Sequence, residues 1–429
     1  MKTTTLVATL ALVESGYSAA QWRSASNSTD GNEKFSLGQM HNEKFKGVNP
    51  TDALLRAYSR YAQSVPDHIK AVIDLQPLLK AKFQALSSEN PSAVFAEAIP
   101  APDVDSEYVL PLSLGTPPQI LPINLDTGSS DLWVFSSETS KEGVQGQTLY
   151  YPEKSNTSRL LPGQRWNIKY GDGSGAYGNV YTDRAAIGPV GYDKQAVQLA
   201  EDVSSAISSD NFFSGIMGMA SSSANTVRPY QQLTFLDNIK DSLAEPLFTA
   251  NLQRGMPGNY NFGYINESEY IGDIAFANID LNSPFWKVSL SGYQLGGDSY
   301  KNDSFNGIVD TGTSLMLVPQ SIVDEYYSKL PGSYLERRTG TMMFPCKLTP
   351  PDFVFGVGEY RGRIPGHYIN YARYTDTYCY GGLQTSAGIP FSVFGDILIK
   401  AQFIVFDRAN LAVGFANKKT VPAPKTPQI

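Results

Sequence analysis

From about residue 105 onward, short apolar and aromatic runs alternate with clusters of Gly, Pro, Asn and Ser. Runs of that length between turn formers predict many short strands, and hence a mostly β protein. Residues 21–97 follow another pattern. There HNEKFKGVNPTDALLRAYSRYA and DHIKAVIDLQPLLKAKFQAL place apolar residues at helical spacing, Leu54, Leu55, Tyr58 and Tyr61 among them, with Lys and Arg between. The linker PSAVFAEAIPAPDVDSE, rich in Pro and Ala, marks the boundary between the two regions. Residues 1–20, MKTTTLVATLALVESGYSAA, carry an early lysine, an apolar run from Leu6 to Val13 and a small-residue end at Ser18-Ala19-Ala20. That order predicts a secretory signal peptide, although Glu14 puts a charge where such segments usually have none.

Within the strand-rich region one pattern occurs twice. INLDTGSSDLWVF, residues 123–135, sets Asp126 between apolar runs and follows it with Thr127, Gly128, Ser129 and Ser130. GIVDTGTSLMLVP, residues 307–319, repeats the frame around Asp310 with Thr311, Gly312, Thr313 and Ser314. A lone Asp-Thr-Gly would read as a tight turn; two copies in the same apolar context imply more. Each is followed by a short apolar pair and a glycine, GIMGMA at 215–220 and VFGDIL at 393–398. The intervals, Asp126 to Gly218 and Asp310 to Gly395, are 92 and 85 residues. Such order and spacing predict a duplicated β unit whose pseudo-twofold axis brings both acids together.

Two opposed carboxylates have a definite chemistry. Like-charge repulsion lets one ionise while the other keeps its proton, and the pair titrates as a unit. A water between them can lose a proton to the charged acid while the protonated one hydrogen-bonds a substrate carbonyl, which is general acid–base hydrolysis of an amide. Gly128 and Gly312 allow close backbone approach, and Ser129 and Thr313 offer hydroxyls to the outer carboxylate oxygens.

Composition narrows the field. At 429 residues with 41% hydrophobic content the chain can hold more than one core. A net charge of −7 excludes nucleic acid as the expected partner, since phosphate neutralisation needs clustered Lys and Arg. The first twenty residues and residues 21–97 removed, 24 basic and 32 acidic residues remain, whereas 21–97 hold 9 Lys plus Arg against 8 Asp plus Glu. A slightly basic leader therefore precedes an acidic body. It can sit on an acidic cleft at neutral pH and leave it in acid, or it can be an ordinary helical subdomain.

No run reaches the roughly 18 apolar residues of a membrane span, and the polar ending KKTVPAPKTPQI offers no tail for a lipid anchor. Cys346 and Cys379 read most simply as one disulfide, and sequons at Asn27, Asn156, Asn266 and Asn302 fit a secretory route. Neither a metal nor a cofactor is expected. His367 is the single histidine of the body, with no GxSxG elbow and no HExxH, so serine, thiol and zinc hydrolysis all lack parts.

On these motifs the chain, over roughly residues 105–418, resembles the pepsin-like aspartic endopeptidases, and most of all those secreted by fungi. The resemblance implies an all-β, bilobal fold of two pseudo-twofold-related β-barrel lobes with the active-site cleft between them. It implies Asp126 and Asp310 as catalytic residues. WNIKYGDGSGAYGNVYTD, residues 166–183, resembles the family's flap, with Tyr170, Gly171, Asp172 and Gly173 over the substrate and Trp133 supporting Tyr170. An acid at the Asp172 position is implied to let the first specificity pocket take lysine beside large apolar residues; alternatively Asp172 only stabilises the turn. Cys346 and Cys379 match the family's C-terminal-lobe disulfide, and GDILIKAQFIVFDRANLAVGFA, residues 395–416, matches its last strands.

The domain map that follows is a signal peptide at 1–20, an inhibitory helical propeptide at 21–97, an N-terminal lobe at 98–283 and a C-terminal lobe at 284–429. The implied partners are protein and peptide substrates, the chain's own propeptide and pepstatin-type inhibitors. A monomer is expected, extracellular more than vacuolar. Residues 136–165 match no pattern, and no dibasic pair fixes an activation site. A catalytically silent pepsin-like binding protein would usually have lost an acid, a DTG glycine or the flap tyrosine, all of which are present. A glycosidase also uses paired carboxylates, but the strand–helix alternation of a barrel is missing.

Overall fold

The computed structural model describes residues 32–41, 50–75, 108–169, 175–208, 213–256 and 258–421. The expected signal peptide and Asn27 lie outside the described residues.

Period-two burial builds the first half. In Gln119–Asp126 the side chains of Leu121, Ile123 and Leu125 are buried while the intervening residues are partly or fully exposed. Tyr108–Leu114 pairs antiparallel with it, Leu112 opposite Leu121, so two alternating faces meet in one core. Gln119–Asp126 then pairs in parallel with Gly215–Gly218, which pairs antiparallel with Leu132–Val134; that strand in turn pairs in parallel with Val190–Val203.

The second half repeats this order. Phe305–Val309 pairs in parallel with Ser392–Phe394, which pairs antiparallel with Met316–Val318, and that strand pairs in parallel with Leu383–Thr385. The duplication read from the two DTG copies is thus a duplication of strand topology. Parallel neighbours in these sheets are buried on both faces, which is why the flanking segments LWV and MLV are continuously apolar.

A six-stranded sheet joins the halves. Its order is Phe35–Gly38, Asn259–Phe262, Leu247–Asn251, Gln402–Asp407, Ala412–Asn417 and Ile271–Asn278. Phe248 stacks on Phe406 at 4.6 Å between ring centroids, and Trp286 meets Phe406 edge to face, so aromatic packing closes the seam. The first strand of this sheet comes from the leader. Cys346 and Cys379 form a disulfide where Thr341–Pro345 ends beside Tyr378–Gly381.

Of the two leader stretches with helical periodicity, Pro50–Tyr61 and Asp67–Leu75 are helical, His41 is in a strand, and 42–49 and 76–86 lie outside the described residues. Leu54, Leu55, Tyr58 and Tyr61 are all buried, in one cluster with Ile308, Leu315, Leu317, Ile389 and Val393 of the second half. A helix of twelve residues is marginal alone in water, so this packing holds it. Each such side chain removed from water contributes about 1.5–3 kcal/mol.

Candidate active site

Asp126 is the last residue of Gln119–Asp126, opposite Gly218, and Asp310 follows Phe305–Val309, its N–H bonded to the Phe394 carbonyl at 3.1 Å. In each case the chain turns at once through Thr-Gly. Gly128 N–H donates to Asp126 Oδ1 at 2.9 Å and the Ser129 hydroxyl to Oδ2 at 2.6 Å. Gly312 N–H donates to Asp310 Oδ1 at 2.8 Å, and the Thr313 hydroxyl donates to Oδ2. The small residues therefore hold both acids as their positions suggested.

The two loops also hold each other. Thr127 N–H donates to Thr311 Oγ1 at 3.0 Å and Thr311 N–H to Thr127 Oγ1 at 2.9 Å. Their hydroxyls donate onward, Thr127 to the Val309 carbonyl at 2.9 Å and Thr311 to the Leu125 carbonyl at 2.7 Å. Four bonds across the axis thus use the N–H and the hydroxyl of both threonines. A Cβ on Gly128 would stand 2.5 Å from Asp310 Oδ1, and one on Gly312 would stand 2.3 Å from Asp126 Oδ1. Each carboxylate thus lies against the glycine of the opposite loop, a place no larger residue can share.

Both acids are buried, Asp126 2% and Asp310 0% exposed. The leader supplies what burial removes. Arg60, in the last turn of Pro50–Tyr61, is ion-paired with Asp126 Oδ2 and reaches Asp310 Oδ2 at 3.6 Å. The Tyr61 hydroxyl donates to Asp310 Oδ2 at 2.9 Å, and its ring packs edge-on against Phe285 and Phe391. Burial opposes ionisation at Asp126, but the Arg60 guanidinium, with the Ser129 and Gly128 donors, holds its carboxyl below the usual carboxylate value. At Asp310 burial prevails over Arg60, and the charge of Asp126 adds to it, so that carboxyl is raised. One acid is pushed down and its neighbour up, the division a shared proton requires.

Arg60 and Tyr61 were not legible as site residues. Tyr61 counts only as one more apolar helical position, and an arginine in a helix's last turn ordinarily serves the helix dipole. Asp131 was also missed. Buried after the first DTG, its Oδ1 accepts from Gln198 at 2.9 Å, Asn225 at 3.0 Å and the Thr226 N–H at 2.9 Å, which fixes where Leu132–Val134 begins.

The hairpin read between 166 and 183 is present as Arg159–Lys169 paired antiparallel with Gly175–Ile187, Lys169 opposite Gly175. Its tip, with Tyr170, Gly171, Asp172 and Gly173, lies outside the described residues. At the hairpin's base Trp133 stacks on Trp166 at 5.9 Å and meets Phe135 and Phe213. Of the sequons, Asn156 and Asn302 are exposed, whereas the Asn266 amide donates to Glu269 at 2.9 Å. His367 stands in the short helix Gly366–Ile369, its Nε2 bonded to the Val421 carbonyl at 2.9 Å. Among the described residues no helix is long and apolar enough to cross a membrane.

Comparison with known proteins agrees with this geometry. The sequence profile of the family described as eukaryotic aspartyl protease matches residues 107–418. Podosporapepsin of Podospora anserina is 43% identical over 390 residues, 90% of this chain and 91% of that protein. Endothiapepsin of Cryphonectria parasitica is 40% identical over 388 residues, 90% of each. Penicillopepsin-3 of Penicillium janthinellum is 39% identical over 390 residues, 90% of this chain and 93% of that one. The chain belongs to the eukaryotic aspartyl protease family and is an aspartic-type endopeptidase with the all-β, two-lobed pepsin-like fold.

Proposed function

We propose that the chain is the precursor of a secreted acid endopeptidase in which Asp126 and Asp310 together activate one water. The observation that carries this reading is the pair of buried carboxylates held against each other's glycines by the reciprocal Thr127–Thr311 bonds. The acids share one proton, a behaviour for which aspartic proteases are themselves the standard illustration. The ionised carboxylate takes a proton from the water as its oxygen attacks the peptide carbonyl carbon, and the protonated one donates to the carbonyl oxygen. The tetrahedral intermediate then collapses: the C–N bond breaks, the amine leaves with a proton returned from the dyad, and the carboxylic acid product forms.

Residues 21–97 act as an intramolecular inhibitor. The support is Arg60 and Tyr61, which occupy the hydrogen-bonding positions a substrate carbonyl and water would need. Residues 1–20 direct secretion, 98–283 and 284–429 form the two lobes, and the mature enzyme is a monomer. Specificity is broad and favours large apolar residues, with lysine accepted through Asp172. Cleavage of a Lys-containing peptide should then fall in Asp172→Ser, and an unchanged lysine preference would remove that part.

The test of the whole reading is incubation of the chain with an unfolded protein between about pH 3 and 7, with and without pepstatin. Cleavage in acid that pepstatin stops supports it. Activity that survives pepstatin, or that persists in Asp126→Asn, overturns it.

A further inference from the structure

The leader's second helix, Asp67–Leu75, is held between two pieces of the second half. Ile69 and Val72 pack against Gly340, where a Cβ would come within 3.0 Å of both. Just before the helix, Gln63 and Ser64 donate their N–H groups to the Gly388 carbonyl at 2.8 and 3.2 Å, and Pro66 lies against Gly388. His68 stands in the first turn of this helix. Its Nε2 is shielded from solvent and has no hydrogen-bond partner among the described residues.

We propose that His68 is an acid-triggered release point of the leader, separate from the contacts at the two aspartates. This deepens, and rests on, the reading of residues 21–97 as the inhibitor. A neutral imidazole with its proton on Nδ1 leaves only a lone pair at Nε2, which the shielded position tolerates. Protonation puts an N–H and a positive charge there with no acceptor among the described residues. Burial accordingly lowers the His68 pKa from 6.5, against the opposing pull of Asp67. The turn 336–340 carries Glu336, Arg337 and Arg338, residues 385–391 carry no titratable group, and Lys70 on the same helix is paired with Asp67.

The sign follows. A histidine that is harder to protonate when docked favours docking at neutral pH, and that preference is lost as pH falls from 6.5 toward the docked value. The Arg60–Asp126 pair responds in a different window, because the Asp126 carboxyl is held below 3.8. Release by that pair alone would wait for strong acid. His68 brings it into mild acid, by up to about tenfold in docking equilibrium for each pH unit below 6.5.

The experiment compares the full chain and His68→Leu, diluted so that conversion is intramolecular, by following loss of the leader against pH. Conversion of His68→Leu should be slower than that of the wild type below pH 6.5, by up to about tenfold at pH 5.5. The mature enzyme, which lacks residue 68, should keep its pH profile. His68→Lys, charged throughout, should convert at a higher pH than the wild type, up to the limit set by the mature enzyme's own pH profile. In an Asp126→Asn background, where the leader stays attached, hydrogen exchange over residues 67–75 should rise with acid only when His68 is present. Superimposable conversion and exchange curves for wild type and His68→Leu would overturn the proposal while leaving the inhibitor reading intact. Full activity of the unconverted chain toward added substrate at pH 7 would instead overturn both.

Discussion

Around the two acids, residue choice is set by distance. Gly128 and Gly312 cannot become alanine, since the added methyl would stand inside the opposite carboxylate; Gly128→Ala should leave a soluble chain whose kcat falls by at least about a hundredfold, measured on a peptide substrate. Thr127 and Thr311 each make two bonds across the axis, so Thr311→Val, which keeps shape and removes the hydroxyl, leaves the Thr127 N–H and the Leu125 carbonyl unpaired. We expect a loss of about 1–3 kcal/mol in denaturant unfolding together with reduced kcat. A stability unchanged by this variant would mean that the cross-axis bonds do not tie the loops. The DTG repeat made these six residues, Asp126 to Gly128 and Asp310 to Gly312, legible, because duplication of a sequence carries duplication of geometry with it. Asp131 was not legible, since its partners Gln198 and Asn225 are distant in sequence and of unremarkable type.

Among the elements, the helix Pro50–Tyr61 does the most with the fewest residues. Its apolar stripe was visible from spacing, and Leu54 and Tyr58 are fully buried against strands that carry Asp310 and its partners. Its target was not visible, because periodicity states that a face is buried without stating what covers it. Leu54→Ala should weaken leader docking by about 2–5 kcal/mol, seen as conversion at a higher pH than the wild type needs. Arg60→Met should act more sharply, since it removes the countercharge of two buried carboxylates while keeping the stem. Its linkage is that of a depressed acid: the Asp126–Arg60 contribution is present above the ordinary carboxylate value and is lost as pH falls through the lower docked one. Loss of the leader in Arg60→Met should accordingly depend less on pH below about 4 than in the wild type, measured as conversion half-time.

For the whole molecule, the repeat predicted two like halves, and the strand orders around Asp126 and Asp310 bear that out. The six-stranded sheet that ties them was not anticipated, because its strands come from residues 35–38, 247–278 and 402–417, too far apart for local pattern to pair. The disulfide links two segments of the second half, Cys346 just after Thr341–Pro345 and Cys379 within Tyr378–Gly381. Replacing Cys346 and Cys379 together by alanine should cost about 2–4 kcal/mol of stability, read as a lower Tm, with kcat/KM retained. The central claim is that two loops from two halves make one acid–base site sharing one proton. It is tested most directly by kcat/KM of the mature enzyme against pH, for wild type, Asp126→Asn and Asp310→Asn. The wild type should show one bell on the acid side, and neither variant should show measurable turnover. Turnover in one variant comparable to the wild type, or a wild-type profile flat across the acid range, would contradict it.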